Sequence, residues 1–367
     1  MKNNIIYLLV LIGLCACSKK SGDLPEVEFS NISAIDLKNE ISLDSIVEQT
    51  NIIRIKSDSN LIIGKVKNVF ESKDNFYVVE NNRIVRLDKE GKFLNLIGMK
   101  GKGPGEYITP WKMDVDEINQ HIYVLDYFGR KMLRYHFDGT FDRKYNLPEN
   151  FSLNGFSLYQ GKILYTAVVN SVSPEVFCYD QKNDETTELS IRDREMLVGE
   201  GLLGDNFIAG NKEAPFFYHY FNDTVFSIEN NQLKPAYLLQ FGKLKIKFDE
   251  LNLDKNKRPN GPRAQVYNMV RSDNFTFLTY GATKLKNSRQ QTLVTGFYKN
   301  DLSVNTPCVN FISNKNPLLT IPTGKYFSPG FGNTLLRIVN AVDVLSIDPD
   351  FDIEIDDNPV LIKYYLK

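Results

Sequence analysis

Two stretches of this chain carry the same pattern: Asp74 to Phe93 (DNFYVVENNRIVRLDKEGKF) and Asn119 to Phe141 (NQHIYVLDYFGRKMLRYHFDGTF). Tyr77-Val78-Val79-Glu80 aligns with Tyr123-Val124-Leu125-Asp126 at an offset of 46, and Gly91 and Phe93 align with Gly139 and Phe141 at 48. A period in the high forties lies in the range of a β-propeller blade, about 40 to 50 residues, and exceeds helical repeats of about 34. Within a repeat, Leu133, Tyr135 and Phe137 alternate with Arg134 and His136, so one strand face is expected to pack on a neighbouring blade and the other to stay polar. Asp138-Gly139 is a hairpin-turn dipeptide, because glycine supplies the positive φ that a tight turn needs.

Fainter copies follow. Gly161 to Tyr165 with Val176 to Tyr179 marks a third blade. Phe216 to Ile228 with Ala236 to Phe241 marks a fourth, turned at Asn222-Asp223, and Asn274 to Tyr280 with Thr292 to Tyr298 a fifth. A sixth is expected from about Phe311 through Val339 to Ile347. Strand-like Ile52 to Ile55 and Val360 to Leu366 flank the array, and their expected use is to complete one shared blade, leaving no open sheet edge. The reading is all-β: a six-bladed propeller closed by N- and C-terminal strands, with seven blades as the alternative count. Phe and Tyr, at 24 and 19 copies, favour strands in the same way.

Two stretches break the rhythm. Ser190 to Pro215 is glycine-punctuated and reads as a long connection. Gly242 to Pro262 is lysine-rich with interspersed acids, which fits a solvated loop, or a binding loop for an anionic partner. The formal net charge of -1 gives no global case for nucleic acid as a partner.

The N-terminus reads as an address. Lys2 precedes an apolar run, Ile5 to Leu14, that is too short to span a membrane and ends in Leu14-Cys15-Ala16-Cys17. This resembles a bacterial lipobox. Residues 1–16 are then a signal peptide, Cys17 the lipidated first residue, 17–31 a flexible tether and 32–367 the propeller. Acyl chains such as palmitate contribute about 0.8 kcal/mol per buried CH₂, enough for several chains to hold the protein on a membrane. Cys178 and Cys308 remain, either paired in an oxidising compartment or two small core residues; no C-x-x-C or metal-ligand spacing is present.

Ile97 to Phe141 looks like an NHL-type propeller repeat, in which a glycine-rich loop precedes an aromatic-Val-x-Asp strand. More narrowly, the lipobox, Gly101-Lys102-Gly103-Pro104-Gly105-Glu106-Tyr107, Asn222-Asp223-Thr224-Val225-Phe226 and Asn358-Pro359-Val360-Leu361 together resemble the six-bladed propeller lipoproteins of Bacteroidota-type bacteria. The likeness runs from about Ile32 to the C-terminus. It implies the fold and an envelope location, on the outer membrane by a lipid anchor at its periplasmic or cell-surface face; that family is largely uncharacterised, so it implies no activity.

The glycine loop is not a phosphate cradle, since it lacks a G-K-[ST] ending and opens a strand rather than a helix. Glu106 and Tyr107 remain candidates to reach a propeller face. Glu80 and Asp126, at matching repeat positions, either line the axial channel and bind a hard cation such as Ca²⁺, or cap turns and pair with Arg83 or Arg130. A zinc site would draw on His121, His136 and His219, which read better as ordinary surface or core histidines. The sequence therefore points to a membrane-anchored, non-catalytic propeller binding a protein or glycan of the envelope. The alternative is a Ca²⁺- or Zn²⁺-dependent hydrolase or lyase at the channel.

Overall fold

Six sheets, each built on four antiparallel strands and one carrying a fifth, are arranged as the blades of one ring in the computed structural model, which describes residues 24–29, 38–56, 61–147, 153–167, 176–189, 207–210, 212–218, 223–244, 264–282, 292–307, 309–324 and 327–367. From the innermost strand outward, blade 1 is Val66–Glu71, Phe76–Glu80, Arg83–Leu87 and Phe93–Leu96. Blade 2 is Pro110–Asp116, His121–Asp126, Lys131–His136 and Phe141–Asn146. Blade 3 holds Leu153–Tyr159, Lys162–Ala167, Val176–Asp180 and Glu185–Glu188, and blade 4 Phe207–Ala209, Phe216–Tyr218, Thr224–Glu229 and Gln232–Gln240. Blade 5 is Ala264–Arg271, Phe275–Ala282, Thr292–Lys299 and Asn305–Thr306. The innermost strands touch one another around the axis.

Blade 6 closes the ring as expected, through strands from both ends of the chain. Ser328–Pro329, Thr334–Val339 and Val360–Leu366 come from the C-terminal end, and Val47–Arg54 adds antiparallel as the outermost strand. Its expected boundaries need correction. Asn310–Ile312 lies outside every blade and pairs in parallel with Glu40–Ser42, while Ala341–Ile347 is a helix, α1, inserted between the second and third strands of blade 6. The run from Phe311 to Ile347 is apolar because Phe311, Val339 and Val344 join one core with the closing strand.

The strands are more apolar than a half-exposed sheet requires because each blade is covered on both faces. In blade 2, Ile122, Val124, Leu133 and Tyr135 pack with Tyr77, Val79 and Ile84 of blade 1. The alternate residues Tyr123, Leu125 and Met132 pack with Phe156, Ile163 and Tyr165 of blade 3. The face expected to stay polar is thus the next blade's partner. Even Arg134 lies within 5.9 Å of the Tyr123 ring and 5.8 Å of the Tyr145 ring, with its Nε on Asp142.

The repeat position shared by Gly91 and Gly139 has a joint cause. Each turns with positive φ, +78° and +87°, and each backbone meets the end of the preceding blade. Gly91 O accepts from Lys56 N at 3.0 Å and Gly139 O from Gly98 N at 3.2 Å. A Cβ at Gly139 would overlap the Leu96 carbonyl oxygen, and one at Gly91 that of Arg54. Gly139→Ala is expected to lower unfolding free energy by about 1–3 kcal/mol, measured by urea denaturation. A loss below a few tenths of a kcal/mol would show that the turn relaxes freely.

The blade 6 to blade 1 seam holds a buried ionic cluster. Glu71, with its side chain 0% exposed, accepts from Lys89 Nζ of blade 1 and Lys363 Nζ of blade 6. It also accepts from Phe331 N at 2.8 Å and Thr334 Oγ1 at 3.4 Å. Burial holds the Lys89 ammonium below the usual lysine range, against the pull of Glu71. Nearby, buried Asn358 accepts from Ile63 N at 2.7 Å and donates to Leu61 O at 3.1 Å, fastening the link between the two blades.

The N-terminal arm is a belt. Glu26–Glu28 adds in parallel to Gln232–Gln240 as a fifth strand of blade 4, with Phe29 N donating to Gln240 O at 2.7 Å. Phe29 is 0% exposed, stacked on Phe241 at 5.4 Å and near Tyr280 and Tyr298 at 6.0 and 6.3 Å. Residues 26–29, expected within the tether, therefore belong to the folded body: Val27 and Phe29 gain a core that a free tether would forgo. Glu40–Ser42 then fastens to Asn310–Ile312 before the chain enters blade 6. No helix among the described residues is long and apolar enough to cross a membrane.

Candidate functional site

The four acceptor-rich or aromatic residues singled out in the repeats are all employed inside the fold. Glu80 ends the second strand of blade 1, and its Oε2 accepts from Gly64 N and Asn81 Nδ2, each at 2.9 Å, while Oε1 pairs with Arg83 Nε. Asp126 ends the second strand of blade 2; its Oδ2 accepts from Ile108 N at 2.9 Å and its Oδ1 from Thr109 N at 2.8 Å and Gly129 N at 3.1 Å. Both are buried, at 1% and 0% exposure. Their shared task is to bind the approach of the innermost strand to the end of the second. Of the two roles open to them in the sequence, cation ligand or turn cap, these contacts are those of a cap: Glu80 accepts from one backbone N–H, Asn81 and Arg83, and Asp126 from three backbone N–H groups. Asp126→Asn is expected to lower unfolding free energy by about 1.5–3 kcal/mol, because an amide nitrogen would face a donor. A thermal melt unchanged from wild type would refute that role.

Glu106 and Tyr107 shape the glycine loop. Glu106 Oε2 accepts from Gly103 N at 2.8 Å, and a Cβ on Gly101 would overlap that carboxylate. Tyr107 is fully buried; its hydroxyl donates to Ile97 O at 2.9 Å and accepts from Ile84 N at 3.3 Å, and burial pushes its pKa up to about 12. Lys131 Nζ donates to Gly103 O at 3.3 Å, which holds the loop beside the start of the third strand of blade 2. Tyr107 therefore has its hydroxyl committed inside the fold, while Glu106 is half-buried with one carboxylate oxygen on the loop backbone. Glycine serves chain geometry here, as the sequence suggested.

His121 and His136 face each other across the second and third strands of blade 2, ring centroids 5.2 Å apart, beside Asp142 and Arg134. Burial and Arg134 hold His121 below the usual histidine range. Among the described residues no group of three or more His, Cys, Asp or Glu side chains is placed to hold a metal ion. Cys178 is a buried free thiol whose pKa burial raises. Cys17, His219 and Cys308, together with most of the two irregular stretches, lie outside the described residues.

What the repeats concealed is a recurrent β-bulge. The innermost strand slips register between Val66 and Asn68 in blade 1, Pro110 and Lys112 in blade 2, Leu153 and Gly155 in blade 3, and Val266 and Asn268 in blade 5. The extra residues are Lys67, Trp111, Asn154 and Tyr267. In blades 1 and 2 the slip begins at the residue paired with the buried acid, Val66 with Glu80 and Pro110 with Asp126. A bulge bends its strand and re-aims the extra side chain. All four slips lie near the start of the innermost strand and so at one end of the ring, the mouth of its axis.

Two of these side chains reach the neighbouring turn of their own blade. Lys67 Nζ donates to Asn82 Oδ1 at 3.3 Å. Trp111 tilts against Tyr127 at 5.6 Å, and Tyr127 meets Phe128 edge-on at 5.3 Å. Trp111 is 42% and Phe128 68% exposed, an unusual outlay of aromatic surface for a chain with one tryptophan. Deeper in, polar bridges join the innermost strands: Asp114 accepts from Leu158 N at 2.8 Å and Lys212 Nζ at 2.7 Å, Ser328 Oγ donates to Asn68 Oδ1 at 3.0 Å, and Asn268 Nδ2 to Phe327 O at 2.9 Å. A shallow groove of about 440 Å³ lies away from this end, lined by Asn51, Ile53 and Arg54 of the closing strand and by Lys89 and Glu90. Its walls are one strand and one turn.

Comparison with known proteins agrees with the architecture. The sequence profile of DUF4934, described as a domain of unknown function, matches residues 27–365. No curated protein matches the sequence. A protein of Bacteroides fragilis NCTC 9343, named only as exported, is similar in structure with a TM-score of 0.69 and 18% identity, over 89% of this chain and 97% of that one. A member of the duf4221 family from Bacteroides vulgatus reaches 0.49 at 11% identity over 88% and 97%, and a streptogramin B lyase 0.46 at 11% over 86% and 98%. At such identities the likeness extends to the fold alone.

Proposed function

The chain belongs to the DUF4934 family, a domain of unknown function, and from that premise we propose that it is a lipid-anchored binding protein of the cell envelope whose contact face is the channel mouth. The observation that supports this reading is the recurrent bulge, which sets Lys67, Trp111 and Tyr267 at one end of the innermost strands, where Trp111 and Phe128 are exposed. Buried acids keep that end rigid, so a partner would meet a preformed surface with little ordering to pay for. The lipobox-like Leu14-Cys15-Ala16-Cys17 supports the anchor and an extracytoplasmic location, with an outer-membrane site and a protein or glycan partner as the working assignment.

Two comparisons test it. Cys17→Ala is expected to abolish palmitate incorporation and move the protein from the membrane to the soluble fraction; unchanged fractionation would remove the anchor from the proposal. Envelopes solubilised in mild detergent are expected to yield a partner or glycan with the wild-type protein and none with Trp111→Ala. Equal recovery by both would displace the channel mouth as the contact face.

A further inference from the structure

The N-terminal arm limits which side of the ring a lipid anchor can hold. Pro25 O already accepts from Leu238 N of blade 4 at 2.8 Å, and Glu26–Glu28 follows as the added strand. Because that strand runs parallel to Gln232–Gln240, the chain ahead of it points back toward the turn at Asn230-Asn231. Leu24 lies seven residues beyond Cys17, a reach of at most about 25 Å. The ring is wider than that. Blade 1 stands opposite blade 4, and with strands about 4.8 Å apart the five of blade 4 and four of blade 1 span about 34 Å even without the gap at the axis. The surface is divided in the same sense. Among the described residues no large exposed apolar side chain lies on blade 4, whose rim shows Glu26, Glu28, Gln232 and Lys234. Ile62, Met99, Trp111, Phe128, Val342 and Ile355 are exposed on blades 1, 2 and 6 and their connections. Charge does not separate the halves, since Lys100 and Lys102 are exposed on the same side as Asp350 and Asp352.

Resting on the lipid-anchored reading above, we infer that the surface turned to the bilayer is the rim of blade 4, and that blades 6, 1 and 2 face the aqueous space of the envelope. The acyl chains supply the insertion energy, so the rim beside them can stay polar and hydrated. Exposed Trp111 and its apolar neighbours, placed next to lipid, would be drawn into the membrane interface, where tryptophan is favoured. On the far half of the ring they stay open to a partner that arrives from solution. The partner is then met on the side away from the anchoring bilayer, and the lipid itself is not what occupies the mouth.

Trp111 is the sole tryptophan and belongs to the far half, so its emission reports how near that half comes to lipid. The acylated full chain is reconstituted on phosphatidylethanolamine vesicles that carry a dansyl headgroup lipid, an acceptor of tryptophan emission at short range. Wild type is expected to show no energy transfer above that of Cys17→Ala mixed with the same vesicles. Trp111→Phe/Gln232→Trp moves the tryptophan to the blade 4 turn, and its donor emission is expected to be lost to the acceptor. Gln232 and Lys234 are both exposed, so Trp111→Phe/Lys234→Trp serves as a second carrier of the same test if the first unfolds early in a thermal melt. Transfer from Trp111 equal to or above that from either blade 4 variant would overturn the orientation. So would vesicle-bound protein with no transfer from any of the three. Acylated protein that fails to float with the vesicles would overturn the anchor itself and the orientation with it, which flotation reads separately from emission.

Discussion

Glu71→Ala is expected to lower unfolding free energy by about 3–5 kcal/mol, the usual result of removing one partner from a buried ionic cluster. Glu71 pairs with both Lys89 and Lys363, and its side chain is fully enclosed. Alanine would leave Lys363, 10% exposed, facing the second ammonium of Lys89, 30% exposed, with the Phe331 N–H unsatisfied as well. Lys89 can swing toward water and Lys363 cannot, so Lys363→Met in the Glu71→Ala background is expected to recover part of the loss. Because the cluster joins blade 1 to blade 6, the damage falls on ring closure, and urea transitions should lose cooperativity as well as midpoint. A loss under about 1 kcal/mol would mean that the seam is held by its apolar contacts, Leu336 and Leu361 against Val69 and Val78, and not by the charges.

Phe29→Ala is expected to cost a similar amount, about 3–5 kcal/mol, by opening a cavity in a site that cannot collapse. Its ring is clasped by Phe241, Tyr280 and Tyr298, and a Cβ on Gly296 would already lie 3.2 Å from it, so the opposite wall has been thinned to admit it. Phe29→Leu should restore more than half of the stability in the same thermal melts. If Phe29→Ala melts like wild type, the arm contributes nothing to the body and the folded domain starts later, at the closing strand.

Much of this architecture was legible because a propeller repeats its physics. Tyr77-Val78-Val79-Glu80 and Tyr123-Val124-Leu125-Asp126 match since both second strands are covered on two faces and both end in an acid that secures the approach to the innermost strand. The closing strands were legible for a related reason: Ile52 to Ile55 and Val360 to Leu366 had no partners of their own in sequence order. The sixth blade was placed too early because apolarity at Phe311 and Val344 reports burial without saying which sheet, if any, does the burying. Glu80 and Asp126 stand out by their matching repeat positions, yet which N–H groups reach them depends on backbone positions that no spacing rule supplies. Trp111 escaped notice altogether. Its three repeat equivalents, Lys67, Asn154 and Tyr267, share no residue type with it and are united by a slip in hydrogen-bond register.

The belt also fixes how this molecule would respond to a pull. A load applied ahead of residue 24 meets three fastenings in series: Glu26–Glu28 beside blade 4, Glu40–Ser42 beside Asn310–Ile312, and only then the closing strand Val47–Arg54. The first two are three residues long and the last is eight, so tension is shed at the small joints before it reaches the ring. Freeing the first joint pays out the chain between residues 29 and 40, at most about 40 Å of contour. Under such a load the two short joints are expected to open first, so the arm lengthens while the disc stays shut.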